Sequence, residues 1–336
     1  MSADLFGEEP APPPVKPAAP PKKERLKNIQ PAEPSPELIA IADTLRHRYG
    51  ERLRLGTSSW YFPGWVGFVW STNARDMSEQ KISREGLSAY AQHPLLQSVS
   101  LDRAFYTPMT ASDYARYANQ VGEGFRFTSK CWRGLTDPVI EGTPNSLFLD
   151  AQYAREQILQ PFLDGAGSKA GVQVLQFSPG LPRRARLTPT AFAQLLDEFL
   201  GRLASPIPVV VELRDAELLI PEYFAALQQH GAEHCINVHP STGLHVIEQA
   251  KLIGRRPEPL VIRWMLQAGF AYEEARERYA PFEKLVDEDP ATRSAIAKLV
   301  RRALEAGGSV YVIANNKAEG SAPLTLFKLA AEIAAH

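Results

Sequence analysis

Pro208-Val-Val-Val-Glu-Leu-Arg214 is the stretch whose reading decides the fold. Three consecutive valines mark a strand buried on both faces, as parallel strands beneath helices are. Side chains alternate along a strand, so Val209, Val211 and Leu213 share one face, and Val210, Glu212 and Arg214 share the other. A carboxylate and a guanidinium are too costly to bury under packed helices. The second face is therefore read as the inside of a barrel, with Glu212 and Arg214 near its mouth. Working outward, seven similar runs occur at 52–57, 98–102, 125–130, 171–177, 233–238, 260–263 and 309–314. Helical patterns separate them. In Pro189–Leu203, Phe192, Leu195, Leu196 and Phe199 fall at i, i+3, i+4 and i+7. Eight strands, each followed by a helix, specify an α/β fold of the (β/α)8 TIM type. A helix over 322–335 closes the ring. The sixth run has the weakest pattern, and 264–308 is long enough for two helices.

In such barrels chemistry sits at the C-terminal ends of the strands. Here those ends carry Ser58-Ser-Trp60, Asp102, Lys130, Gln176, Glu212, Arg214, His239, Arg263 and Asn315-Asn316. The parity argument turns Ser100 inward with Asp102, Thr128 with Lys130, and Val174 with Gln176. A purely structural barrel has no need of a lysine, two arginines, amides and carboxylates at one end, so the ring is read as a binding site. Lys130, Arg214 and Arg263 supply positive charge, and guanidinium suits bidentate contact with phosphate. The loop Asn315-Asn-Lys-Ala-Glu-Gly-Ser-Ala-Pro323 leads into a helix whose backbone N–H groups suit an anion, where barrels often hold phosphate. The aromatic loop Trp60-Tyr-Phe-Pro-Gly-Trp-Val-Gly-Phe-Val-Trp70 is expected mainly to pack over the rim, with Trp60 the member that reaches a ligand.

The whole chain has 336 residues and a formal net charge of −1, which gives no overall electrostatic case for nucleic acid or anionic membrane. Cys131 and Cys235 form no Cys-x-x-Cys pair, so a thiolate metal site or disulfide scaffold is not expected, and a reducing cytoplasm fits. No apolar run is long enough to span a bilayer. Only His239 sits at a strand end among the histidines, so neither a metal nor a cofactor is expected. Residues 1–36 are read as a disordered, proline-rich tail, and 37–336 as a single barrel domain whose first helix opens at Pro36. Within the tail, Ser2-Ala-Asp-Leu-Phe6 resembles the pentapeptides, usually opening with Gln, by which bacterial repair and replication proteins bind the sliding clamp. The leading glutamine is absent here.

Gly56-Thr-Ser-Ser-Trp60, Ala104-Phe-Tyr-Thr-Pro108, Phe125-Arg-Phe-Thr-Ser-Lys130, Leu175-Gln-Phe-Ser-Pro179, Val211-Glu-Leu-Arg214 and Ala314-Asn-Asn316 together resemble the YecE-like barrels, domain of unknown function 72. The resemblance runs over roughly 52–330. It implies a barrel of the endonuclease IV and xylose isomerase type, with Glu212, Arg214, Lys130, Gln176, Arg263, Asn315 and Asn316 as pocket residues. Tyr106, in the second of these motifs, joins Trp60 as a ligand contact. The chain departs from the family twice. The usual Val-Glu-x-Asn is Val99-Ser-Leu-Asp102, and the usual Arg-x-His-Gly is Arg263-Trp-Met-Leu266, so that a histidine is lost.

These features lead to a barrel that binds or processes a phosphorylated or nucleic-acid-derived anion, with Glu212 or Asp102 as general base. If it is an enzyme, it is a metal-independent hydrolase. The alternatives are a catalytically silent barrel that binds a ligand or partner, and a glycosidase-like hydrolase using two carboxyls.

Overall fold

The computed structural model describes residues 28–335. Eight strands form the ring: β1 (Leu53–Thr57), β2 (Leu96–Leu101), β3 (Arg126–Lys130), β4 (Ala170–Gln176), β5 (Val209–Glu212), β6 in two segments (Glu233–His234 and Ile236–Val238), β7 (Leu260–Trp264) and β8 (Val310–Ala314). All are parallel, neighbours pair in sequence order, and β8 pairs back onto β1. The first segment of β6 pairs with β5 and the second with β7, while the Cys235 N–H between them donates to the Val211 carbonyl at 2.9 Å. The chain is thus a (β/α)8 barrel. Among the described residues, no helix is long and apolar enough to cross a membrane.

The break in β6 has a local cause. β5 stops at Glu212, so no strand faces Asn237 on that side. Gln249, from the helix Val246–Ile253, takes the place of a strand neighbour. Its Oε1 accepts from the Asn237 N–H at 3.0 Å, and its Nε2 donates to the Asn237 carbonyl at 2.7 Å. Both backbone groups are satisfied without a ladder. The stretch after β7 does hold two helices, Tyr272–Tyr279 and Pro290–Glu305. Glu319 ties the segment between them to the barrel: its carboxylate accepts from the Asp289 N–H at 2.7 Å and from Arg293 at 2.6 Å.

The barrel is filled in layers. Tyr311 lies toward the N-terminal end with the Arg54 guanidinium 5.6 Å from its ring centre. Val172, Val174, Val210, Cys235 and Val261 pack with Tyr311 as an apolar plug inside the ring. The charged layer stands above that plug. Outside, Phe192, Leu196 and Phe199 of the helix Pro189–Leu203 cover β4 and β5 through Leu175, Phe177, Val209 and Val211.

The packed chain begins earlier than the proline-rich composition suggested. Ile29 is buried, the Ala32 N–H donates to the Val69 carbonyl at 2.9 Å, and the Ser71 N–H donates to Gln30 at 3.0 Å. These residues lie against the aromatic loop after β1, so the barrel domain starts before residue 37. Ser2–Phe6 lies outside the described residues.

Gly56 sets the β1–β2 spacing. A Cβ built there would fall 2.3 Å from the Ser98 carbonyl oxygen and 2.6 Å from its carbon, at the point where the β1–β2 register shifts. Backbone cannot swing aside as a side chain can. Gly56→Ala is therefore expected to destabilise by at least about 1–3 kcal/mol, the range for overpacking. Denaturant unfolding checks this; a loss below about 0.5 kcal/mol would show that the two strands part freely.

Candidate active site at the mouth of the barrel

The inward face of β5 points Glu212 at the barrel axis, where it is fully buried between two guanidinium groups. Arg214 Nη2 pairs with its Oε1, and Arg263 Nε, from β7, stands 2.8 Å from its Oε2. Arg263 has no exposed surface and continues across the barrel to β2. Its Nη1 donates to Ser100 Oγ at 2.9 Å and its Nη2 lies 3.4 Å from Asp102. Ser100 in turn donates to Asp102 Oδ1 at 2.6 Å, and Lys130 Nζ of β3 lies 3.4 Å from Asp102 Oδ2. One chain of ion pairs thus runs Arg214, Glu212, Arg263, Asp102, Lys130 across four strands. Three cations against two carboxylates leave one positive charge.

Burial alone would raise both carboxyls. The cations outweigh it: Arg214, Arg263 and Lys130 hold Glu212 below its ordinary range, and Lys130 and Arg263, with the Ser100 hydroxyl, do so for Asp102. Burial pulls Lys130 and Arg214 down, with their carboxylates opposing it. His239 lies beside this group. Burial and then Arg214 pull it down to about 4, so it is neutral, and its Nδ1 accepts from the Ser241 N–H at 3.2 Å.

Arg214 has capacity left over. It is 5% exposed, yet its Nε and Nη1 are buried with no hydrogen-bond partner among the described residues. Two orphaned donors on one guanidinium are costly unless something accepts from them. Asp102, unlike Glu212, is partly exposed.

The other residues expected at the site divide. Gln176 ends β4 in register with Glu212 and is half-buried. Asn315 is at the mouth, donating from Nδ2 to Ser58 Oγ at 2.7 Å. Asn316 turns away: its Oδ1 accepts from Trp65 Nε1 at 3.2 Å and from the Ala322 N–H at 2.9 Å, which fixes the start of the last helix. Trp60 is buried, edge-on to Tyr117 at 5.1 Å, with Nε1 donating to the Ser83 carbonyl at 3.2 Å. Tyr106 is 68% exposed, next to Phe105, whose ring lies 4.6 Å from Lys130 Nζ. Two residues of this region escaped the sequence reading, Lys317 and Tyr272. Lys317 Nζ lies 4.1 Å from the Tyr272 ring centre. Lys317 sits in a loop and Tyr272 opens the helix Tyr272–Tyr279, so no strand parity marks the direction of either. Met265 occupies the position of the absent histidine, with its sulfur 3.4 Å from Arg263 Nη2.

Among the described residues, no group of three or more His, Cys, Asp or Glu side chains is placed to hold a metal ion. Cys131 and Cys235 are free and buried.

Comparisons with known proteins agree with this architecture. A DUF72 family protein from Enterococcus faecalis V583 superposes with a TM-score of 0.55 at 18% identity, covering 84% of this chain and 95% of that one. A DUF72 family protein from Thermotoga maritima MSB8 gives 0.53 at 16% identity, covering 82% and 97%. At these identities the likeness shows the fold. No functionally curated protein matches the chain. The family model for a protein of unknown function, DUF72, matches residues 54–336, so the chain belongs to the DUF72 family.

Proposed function

We propose that the mouth of the barrel binds a small anionic ligand, phosphorylated or derived from nucleic acid, and that Arg214 is its principal contact. The observation that carries this reading is the pair of buried, unpartnered nitrogens Nε and Nη1 on Arg214, beside a cluster with an excess positive charge. A phosphate oxygen would satisfy them in the planar fork geometry that guanidinium favours. Where the ligand is turned over, Asp102 is the proton acceptor, because it is the carboxylate with access to the mouth. Glu212 holds the two guanidinium groups in place. That division disfavours a glycosidase-like mechanism, which needs two carboxyls facing the substrate. The second reading, a barrel that binds without turnover, is favoured by Met265, which puts a thioether against Arg263 where the motif that the sequence resembles has a histidine. Buried free thiols suit residence in a reducing cytoplasm. A role for Ser2–Phe6 in clamp binding rests on sequence alone.

The test is thermal unfolding of the full chain with inorganic phosphate, pyrophosphate and a mononucleotide, at fixed ionic strength. Binding to the folded state alone stabilises by about 2.7 kcal/mol at one hundred times Kd. Saturable stabilisation by at least one of these anions, and none by a neutral sugar, is expected. Equal response to sodium chloride at the same ionic strength would overturn the reading.

A further inference from the structure

One charged side chain at the mouth has no counter-ion. Lys317 follows β8, and its backbone is fixed on both sides. Its N–H donates to Asn315 Oδ1 at 3.0 Å, and its carbonyl accepts from the Gln267 N–H at 2.8 Å. The residue is 7% exposed. Among the described residues its Nζ makes no ion pair and no hydrogen bond; its contact is the face of Tyr272. Asp102, Arg276, Glu273 and Lys130 surround it at longer range. The two carboxylates and the ring face favour the ammonium form; burial and the two cations oppose it. Burial prevails and pulls the amine down to about 8. Roughly a tenth is then free amine at pH 7, against about one part in several thousand for an ordinary lysine. A lysine desolvated beside other cations is the arrangement that makes an amine nucleophilic.

We propose that Lys317 is a catalytic nucleophile that condenses with the carbonyl group of an anionic aldehyde or ketone held at the mouth. The amine lone pair forms the C–N bond as the carbonyl π pair moves to oxygen. Both amine protons pass to that oxygen, which leaves as water, and an imine remains; no oxidant or reductant is needed. Asp102, 3.4 Å from Lys130 and within electrostatic reach of Lys317, would relay these protons through water. The choice of an anionic substrate rests on the function proposed above, whereas the chemistry rests on the surroundings of Lys317 itself.

The test treats the full chain with a low concentration of pyridoxal 5′-phosphate, or of pyridoxal, which lacks the phosphate. Borohydride then traps the imine, and peptide mapping locates the label. The expected result is that the phosphorylated aldehyde labels Lys317 at least about tenfold faster than exposed lysines such as Lys251 and Lys298. Pyridoxal should be slower at the same residue, inorganic phosphate should protect it, and the rate should rise with a midpoint near pH 8. Lys317→Arg should abolish the trapped label; mapping on the natural chain gives the answer even if that variant folds poorly. Label spread over exposed lysines, or placed on Lys130 with Lys317 unmodified, overturns the proposal, and phosphate binding in that sample leaves the anion site standing. Lys317 labelled equally by both aldehydes and unprotected by phosphate supports the nucleophile and removes the anion site.

Discussion

Glu212→Gln is expected to destabilise the protein by about 3–5 kcal/mol, the cost of breaking a buried ion pair by removing one partner. Glu212 has no exposed surface and is the carboxylate shared by Arg214 and Arg263. The amide keeps the shape but leaves three cations converging, with Asp102 as their remaining counter-charge. The loss also has a pH signature. Glu212 is held below its ordinary range, so its contribution is complete above the unfolded-state value near about 4.5 and disappears as pH falls through the lower folded-state value. The gap between natural chain and variant should therefore be constant from about pH 6 upward and narrow in acid. Asp102→Asn should cost less, because Asp102 is partly exposed. Denaturant unfolding of the three proteins at neutral and acidic pH measures all of this. A loss below about 1 kcal/mol for Glu212→Gln at neutral pH would mean that water or a neighbour relieves the cations.

The second large effect concerns binding. Arg214→Lys retains the positive charge beside Glu212 but replaces a planar fork by a single ammonium. The two donor nitrogens now unpartnered, Nε and Nη1, would no longer exist. Affinity for pyrophosphate is expected to fall at least about tenfold, or 1.4 kcal/mol, with the unfolding midpoint nearly unchanged. Arg214→Met would confuse the question, because Glu212 would lose one of its two cations and stability would fall as well. Titration calorimetry on the natural chain and the lysine variant gives the comparison. Equal affinity in two proteins of equal stability would remove Arg214 from the binding site.

Most of the ring was legible because strands impose a period of two. The run of valines before Glu212 marked β5 as buried on both faces, and alternation set Glu212, Ser100, Asp102 and Lys130 inward. Pairing was not legible: nothing local tells that Arg263 spans the barrel to reach both Glu212 and Asp102. Where strands end, parity ends too. Asn315 and Asn316 are adjacent, yet one faces Ser58 at the mouth and the other anchors the last helix. Lys317, in a loop, meets Tyr272, the first residue of a helix, a contact without any sequence period. The sixth strand read weakly because it is interrupted, and its missing partner is the side chain of Gln249. Residues 28–35 read as tail because they continue the proline-rich stretch before them and hold a single large apolar residue, although that buried isoleucine and a few backbone hydrogen bonds tie them to the barrel.

The claim that the mouth is an anion site is tested most directly by locating an anion. Crystals of the full chain soaked in tungstate, a heavy tetrahedral oxyanion, would give anomalous difference density at its position. The predicted result is a peak within hydrogen-bonding distance of Arg214 Nε or Nη1, displaced by phosphate and absent in Arg214→Lys crystals grown alike. Strong peaks confined to other basic surfaces, such as the groove lined by Lys251, Arg255, Lys298 and Arg302, with none at Arg214, would contradict it.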